Sequence, residues 1–172
     1  MKLKRNFYFK PTVWVAQNLL GKFLVHKTSS KIYTAQIIET EAYAGFIDKA
    51  CHGSRGPTLR NQVMFGRGGF SYVYLIYGIY HCLNLVTEKA DYPSAVLIRA
   101  LEFPKADGPG KLCREFQIKK ETHNGLDLEG NILWVEDRGV KIKPSQIIVG
   151  PRVGVDYAGE CAAWPWRFRI KD

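Results

Sequence analysis

The chain has 172 residues, of which 46% are hydrophobic and 13% aromatic, so a largely disordered chain is excluded. This length fits a single domain spanning residues 1–172. Its 25 lysines and arginines against 16 aspartates and glutamates give a net charge of +9, which favours a polyanionic partner over mere solubility.

The first predicted elements are a short helix and a pair of strands. Pro11 can occupy the first turn of a helix whose apolar residues recur at roughly helical spacing, and Gly21 is placed to end it. Residues 22–27 and 32–42 are rich in β-formers and are joined by the polar turn Thr28-Ser29-Ser30. We expect these two runs to pair as antiparallel strands.

The second strand ends in two carboxylates and an aromatic ring. Because side chains alternate across a strand, Glu39, Glu41 and Tyr43 should lie on one face. Gly45 ends the regular pattern, which leaves Glu41 near an opening that a substrate could reach. Taken alone, the pattern favours a solvated acid at a strand end over a catalytic one.

A long loop and a tight hairpin are predicted next. Residues 44–69 contain six glycines and little periodicity, and loops of this length are usually functional or disordered. Residues 71–77 and 79–87 are two β-rich runs separated by Gly78, which is typical of a hairpin. Tyr77 borders that turn, where burial is hardest to arrange, so we expect it to be exposed.

The remaining elements are a strand at residues 94–101, a helix that starts at residues 110–116, a strand at 132–136 and a tail at 150–170 that packs over the sheet. Strands outnumber helices and do not alternate regularly with them, which predicts an α+β fold with a mostly antiparallel sheet. Arg99 lies in an otherwise apolar strand and therefore needs a carboxylate or phosphate partner.

Several kinds of protein are disfavoured. The four cysteines lie about thirty or more residues apart, which argues against a zinc ribbon and favours reduced thiols in a cytoplasmic protein. The sequence has no signal peptide and no apolar run of membrane-spanning length, so we expect no membrane partner. Gly66-Arg67-Gly68-Gly69 lacks the spacing of a phosphate-binding loop, and neither a metal nor another cofactor is expected. His26, His81 and His123 are interpreted as packing or surface residues.

Two features point to nucleic acid chemistry. Tyrosines in the hairpin could wedge into a duplex or stack on a displaced base, although aromatic residues also favour strands for packing alone. His52 lies in the glycine-rich loop and could bond a base edge. A non-catalytic RNA- or DNA-binding module would explain the same rings and charge, and a sugar- or formyl-transferring enzyme would need a cofactor motif that the sequence lacks.

The order of motifs decides between these readings. The motifs are Asn18-Leu19-Leu20-Gly21, Glu39-Thr40-Glu41-Ala42-Tyr43, His52, Arg60-Asn61, Met64-Phe65, Tyr72-Val73-Tyr74, Ile76-Tyr77-Gly78, Cys82-Leu83-Asn84, Leu97-Ile98-Arg99-Ala100-Leu101-Glu102, Gly108-Pro109, Lys111-Leu112-Cys113 and Pro151-Arg152-Val153-Gly154. In this order they resemble the alkyladenine (3-methyladenine) DNA glycosylase family over nearly the whole chain. The resemblance implies one domain, an antiparallel sheet with surrounding helices, and a protruding hairpin that enters the minor groove. Gly68-Gly69-Phe70 and His81 depart from the family's pattern around the hairpin.

The resemblance also implies a role for each matching residue. Glu41 would be the general base that activates water, and Arg99 and the carbonyl of Val153 would help to hold that water. Glu39 would be a supporting residue. The other implied roles are a base pocket lined by Tyr43, His52 and Tyr74, a screen against guanine's amino group at Asn84, intercalation by Tyr77 with Ile79 and Tyr80 beside it, and DNA contacts by Thr58, Arg60 and Met64.

The expected reaction is therefore hydrolysis of the N-glycosidic bond of a damaged purine. The enzyme would flip an alkylated or deaminated purine out of duplex DNA and leave an abasic site, with no strand-cleaving lyase step. We expect a monomer that needs no cofactor.

Overall fold

The computed structural model describes residues 1–171 and is dominated by eight strands. They are β1 (Phe23–Lys27), β2 (Ile32–Ala44), β3 (Ser71–Ile76), β4 (Tyr80–Val86), β5 (Ser94–Leu101), β6 (Leu133–Glu136), β7 (Ile147–Gly150) and β8 (Arg167–Ile170). The helices are α1 (Arg5–Tyr8), α2 (Thr12–Leu19), α3 (Pro109–Glu115) and α4 (Lys120–His123), with 3₁₀ segments at Gln62–Phe65, Pro144–Gln146 and Asp156–Ala163.

The strands form one sheet in the order β3-β4-β5-β2-β1-β6, with β8 joined to β2 and β7 joined to β8. Every strand pairing within residues 1–171 is antiparallel. The predicted α+β class with a mostly antiparallel sheet is confirmed. No helix in this part of the chain is long and apolar enough to cross a membrane.

The long strand β2 organises the sheet because different parts of it serve three neighbours. Its first residues pair with β1, and its second half pairs with β5 on one side and β8 on the other. The register with β5 shifts on both sides of Glu39, which is the mark of a bulge. Bulges re-aim side chains, and this one lies where the two carboxylates begin.

The two faces of β2 have different environments beyond the bulge. The Thr40 hydroxyl donates a 2.8 Å hydrogen bond to the carbonyl of Ala16 in α2, and Ala42 belongs to the main apolar core. Glu39 and Glu41 instead both contact Arg99, and the Tyr43 hydroxyl reaches Glu41. The predicted shared face of Glu39, Glu41 and Tyr43 is therefore confirmed.

The hairpin between β3 and β4 ends in a strained turn. Tyr77 and Gly78 have φ values of 53° and 69°, and the amide of Ile79 donates to the carbonyl of Ile76 at 3.2 Å. A tyrosine rarely adopts positive φ, and such a conformation costs about 1–3 kcal/mol. The Tyr77 side chain is 89% exposed, which confirms the prediction of exposure.

The C-terminal region differs from the prediction. Residues 150–170 were expected to pack over the sheet, but β8 enters the sheet beside β2 and brings β7 with it. The short helices α1 and α4 were also not predicted. Each of these elements has only four residues, so its sequence carries too little periodicity to be seen without its tertiary partners.

Candidate active site

A cavity of about 510 Å³ opens between the base of the hairpin, β2, β5 and the loops that follow β2 and β7. Its polar and aromatic lining includes Tyr43, His52, Arg60, Tyr72, Tyr74, Tyr77, Asn84, Arg99 and Tyr157, together with Val153 and Met64. Nine of the thirteen predicted site residues line this cavity, and a tenth, Glu41, contacts three of the lining residues. Glu41 lies behind the wall, and Thr58, Ile79 and Tyr80 do not line the cavity.

Glu41 is completely buried and has a defined partner on each oxygen. The Tyr43 hydroxyl donates to Oε2 at 2.7 Å, and the Val153 amide donates to Oε1 at 2.8 Å. The Arg99 guanidinium lies 3.5 Å from the same Oε1. All three partner residues line the cavity, so the carboxylate lies one residue behind its wall. The interpretation of Glu41 as a solvated edge acid is wrong.

Burial and hydrogen bonding act in opposite directions on Glu41. Burial raises the pKa of its carboxyl, whereas Arg99, the Val153 amide and the Tyr43 hydroxyl all lower it. Burial and the adjacent Glu41 raise the pKa of Tyr43, so its hydroxyl stays protonated and donates. Burial has the larger effect, so the carboxyl is more basic than an exposed one, while the three partners favour its charged form.

Glu39 supplies the partner that Arg99 was predicted to need. Its Oε1 accepts hydrogen bonds from Arg99 Nε at 3.1 Å and from Arg167 Nε at 2.6 Å. Arg99 therefore bridges the two carboxylates of β2, and Arg167 of β8 closes the group. Glu39 thus fixes the guanidinium beside Glu41, in agreement with the supporting role expected for it.

A second buried ion pair lies behind Val153. The side chains of Asp48 and Arg152 are fully buried, with Arg152 Nη2 2.9 Å from Asp48 Oδ1. Arg152 also donates to the carbonyls of Ala42 at 2.9 Å and Cys161 at 3.0 Å, and its guanidinium lies 4.7 Å from the centre of the Tyr43 ring. The Arg152 side chain thus joins β2, the loop after β2 and the C-terminal segment. Arg152 is also the neighbour in sequence of Val153, whose amide contacts Glu41.

Aromatic rings form one wall of the cavity. The His52 and Tyr74 ring centres are 4.5 Å apart in an edge-on arrangement, and His52 Nδ1 lies 3.1 Å from the Tyr72 hydroxyl. The Arg60 guanidinium sits 5.4 Å from the Tyr74 ring centre. His52 keeps an exposed surface, but desolvation, with a smaller effect of Arg60, lowers its pKa to about 4, so the imidazole is neutral near pH 7.

The remaining predicted residues occupy different depths. Asn84 is buried, with its amide nitrogen 3.2 Å from the Tyr72 carbonyl, and it faces the cavity. Thr58 is exposed and caps a turn through hydrogen bonds with Asn61. Met64 is only 2% exposed and lines the cavity. Its expected position near the DNA backbone stays a prediction.

The Val153 carbonyl was expected to face the nucleophilic water, and the structure adds a contact through the backbone amide of the same residue. It is the amide of Val153 that reaches Glu41. The role of the carbonyl stays a prediction. Within residues 1–171 no group of three or more His, Cys, Asp or Glu side chains is arranged to hold a metal ion.

Comparison with known proteins identifies the family. The family model for methylpurine-DNA glycosylases matches residues 6–172. The chain belongs to the methylpurine-DNA glycosylase family. A relative from Methanocella arvoryzae, named "Putative 3-methyladenine DNA glycosylase", is 51% identical over 99% of this chain and 92% of its own length. Relatives with the same name from Anaeromyxobacter dehalogenans and Bdellovibrio bacteriovorus are 50% and 49% identical, covering 99% and 100% of this chain and 83% and 96% of their own lengths.

Membership of this family makes the protein a hydrolase that acts on N-glycosyl bonds, a DNA glycosylase of DNA repair. The resemblance predicted from the motifs is confirmed. DNA is therefore the macromolecular substrate, which accounts for the strongly positive net charge.

Sequence reasoning missed three charged residues of the site. Asp48 is a single acid in a glycine-rich loop, and nothing local distinguishes it from a solvated one. Arg152 was noticed only as part of a motif. Arg167 belongs to a strand that was not predicted. A buried charge needs a partner of opposite charge, and this rule was used to predict a partner for Arg99. The same rule could have drawn attention to the other charged residues.

The Asp48–Arg152 pair generates a test of stability. Asp48→Asn keeps the size of the side chain but leaves the guanidinium without its counter-charge, so the free energy of unfolding should fall by about 3 kcal/mol. Urea unfolding measures the loss. The control is Asp107→Asn, which breaks the exposed pair with Lys111 and should leave the urea midpoint nearly unchanged. Equal effects of the two changes would contradict the structural importance of the buried pair.

Proposed function

We propose that this glycosylase flips an alkylated or deaminated purine from duplex DNA into the cavity and hydrolyses its N-glycosidic bond with a water activated by Glu41. The observation that carries the proposal is the burial of Glu41 directly behind the cavity, with Tyr43, Arg99 and Val153 between the carboxylate and the opening. A water molecule among these groups would contact the Glu41 carboxylate and would also reach the sugar of a bound nucleotide.

The charges around Glu41 support this chemistry. Departure of the purine leaves positive charge on the deoxyribose, and a carboxylate beside the sugar stabilises that charge while it accepts a proton from water. Arg99 and the Val153 amide lower the pKa of Glu41 against the effect of burial, which favours the ionised form that a general base requires. In the proposed mechanism Arg99 and the Val153 carbonyl hold the water against this carboxylate.

The rings of the cavity suit an electron-poor base. Tyr43 and Tyr74 offer aromatic faces or edges, and His52 is neutral near pH 7, so it does not repel a cation. An alkylated purine that carries positive charge would be attracted to such walls and would also leave readily. Asn84 lies on the same surface, where it can test the edge of the base, which supports its proposed role as a screen against guanine's amino group.

A lyase step is not part of the proposal. Cleavage of the DNA strand through an imine needs an amine nucleophile at the sugar. No lysine lines the cavity in the part of the chain that the structure describes. We therefore propose a monofunctional enzyme that leaves an intact strand with an abasic site.

The exposed hairpin supports base flipping. Tyr77 projects from a turn whose backbone conformation is strained for that residue, and it lies at the rim of the cavity. An aromatic ring there can fill the gap that a flipped nucleotide leaves in the stack, with Ile79 and Tyr80 beside it in the minor groove. Thr58 and Arg60 are proposed to contact the DNA near the pocket.

A purely DNA- or RNA-binding module is less consistent with this site. A binding surface for phosphates gains nothing from a carboxylate buried at the base of its pocket, because that charge repels the ligand. Burying Glu41 and its charged partners costs free energy of folding. A catalytic role for the carboxylate at this pocket explains why that cost is tolerated.

The direct test is incubation of the protein with duplex DNA that carries one alkylated or deaminated purine, followed by alkali. Free base should be released, and strand breaks should appear only after alkaline treatment. Glu41→Gln should bind the duplex normally and lose about 10²- to 10⁴-fold in the rate of release, because the amide cannot act as a base. Glu160→Gln, on an exposed side chain, serves as the control. Normal turnover by Glu41→Gln would refute the assignment.

The Tyr43 hydroxyl should set the pH dependence of base release. Tyr43→Phe keeps the ring but removes a hydrogen bond that lowers the pKa of Glu41. The pKa should therefore rise, and the acidic limb of the rate–pH profile should move to higher pH, since the base must be deprotonated. Single-turnover rates between pH 4 and 8 would show the shift, roughly one pH unit for one lost hydrogen bond. If the acidic limb does not move, the Tyr43 hydroxyl does not control the pKa of the general base.

The wedge role of Tyr77 predicts a duplex-specific defect. Tyr77→Asn should leave the protein folded, because asparagine tolerates positive φ and the side chain is exposed. Binding to lesion-containing duplex should weaken by about 1–3 kcal/mol, roughly 5- to 150-fold, and binding to the same single strand should weaken less. Tyr77→Phe keeps the ring and should bind like the unaltered protein. Equal losses on duplex and single strand would exclude a wedge.

A further inference from the structure

A second cavity, of about 810 Å³, lies beside the hairpin and is not used by the proposed chemistry. It is bounded by the start of β4, by α3 and by the segment that leads into α4. Its lining contains the cationic residues Lys111, Arg114 and Lys119, the histidines His26, His81 and His123, and the hairpin residues Ile79 and Tyr80. No carboxylate among residues 1–171 lines it. We refer to the surface formed by Lys111, Arg114, Lys119 and Tyr80 as the basic groove.

The basic groove and the candidate active site lie on different sides of the hairpin. Cys82 and Asn84 of β4 face the first cavity, whereas His81 points the other way and accepts a 3.0 Å hydrogen bond from the Lys120 amide. The first turn of α3 separates the two spaces, because Pro109 lines the first and Lys111 lines the second.

The cations of the groove are available to a ligand. The side chains of Lys111 and Arg114 are 55% and 66% exposed, and their pairs with Asp107 and Glu115 are surface ion pairs of the kind that contributes little. Lys119 is exposed and forms no ion pair within residues 1–171. Phosphate oxygens can therefore replace or join these partners at small cost.

The histidines of the groove are structural. His26 and His123 are buried, with their Nε2 atoms 2.9 Å apart, and burial together with His26 lowers the pKa of His123. His26 Nδ1 also lies 2.6 Å from the Phe116 carbonyl. These contacts fix the floor of the groove, so recognition of an anion falls to its lysines and arginine.

We propose that the basic groove holds the backbone of the complementary DNA strand while the first cavity receives the damaged nucleotide. This inference rests on the proposed function. A hairpin placed in a minor groove about 6 Å wide has one strand on each side. Tyr77 lines the first cavity, and Ile79 and Tyr80 line the second, so the tip of the hairpin lies between the two spaces.

The test compares binding to two probes, a duplex with a tetrahydrofuran abasic analogue and the same strand alone, across a range of salt concentrations. Arg114→Ala with Lys119→Ala should weaken binding to the duplex about tenfold at low salt, and the slope of log affinity against log salt should fall by about 2, one for each lost phosphate contact. Binding to the single strand should change less than twofold.

Neutral methylphosphonates identify the strand that is held. Placed in the complementary strand, they should weaken binding by the unaltered protein but add little to the double variant's defect. Placed in the lesion strand, they should weaken both proteins equally. The matched control is Lys141→Ala with Lys143→Ala, which removes two exposed cations that line neither cavity.

The outcomes separate this inference from the proposed function. If the unaltered protein releases damaged purines but the groove variant binds duplex normally, the groove assignment is wrong and the proposed function stands. An equal loss on duplex and single strand, or dependence on lesion-strand phosphates alone, would also overturn the assignment. If the unaltered protein releases no base from any damaged duplex, the proposed function itself fails.

Discussion

A carboxylate with no exposure to solvent is the constraint on which this structure depends. An ionised Glu41 in the interior is stable only if hydrogen bonds and positive charge replace the water that it has lost. Its partners come from three places: Tyr43 from the same strand, Arg99 from β5, and the Val153 amide from the segment after β7. The site therefore exists only once the sheet has been assembled.

The residues that hold Glu41 also need partners of opposite charge. Arg99 is held by Glu39, which is also bound by Arg167, and the segment that carries Val153 is fixed by the pair of Arg152 with Asp48. Breaking one ion pair leaves a buried charge without its partner, which also weakens the neighbouring pair that shares a residue with it. This arrangement lets the protein combine a basic carboxylate with a fixed position for it, which suits hydrolysis more than binding.

The hairpin gives the surface its second organising feature. It places Tyr77 in solvent, with the proposed base pocket on one side and the basic groove on the other. The acids Glu39, Glu41 and Asp48 are buried at the site, whereas Lys111, Arg114 and Lys119 are exposed at the surface beside the hairpin. In the proposed function a duplex approaches this positive face, and the reacting sugar meets the carboxylate of Glu41.

The sequence by itself determined the features that depend on local pattern. Alternation placed Glu39, Glu41 and Tyr43 on one face of β2, the two β-rich runs around Gly78 gave the hairpin, and the apolar setting of Arg99 demanded a partner. The motif order then gave the family. Only the tertiary structure decided that β7 and β8 join the sheet, that Met64 is buried, and that Asp48 pairs with Arg152 across 104 positions. The short strands β7 and β8 and the long-range ion pairs carry little local signal, because their stability comes from neighbours that the chain brings together only on folding.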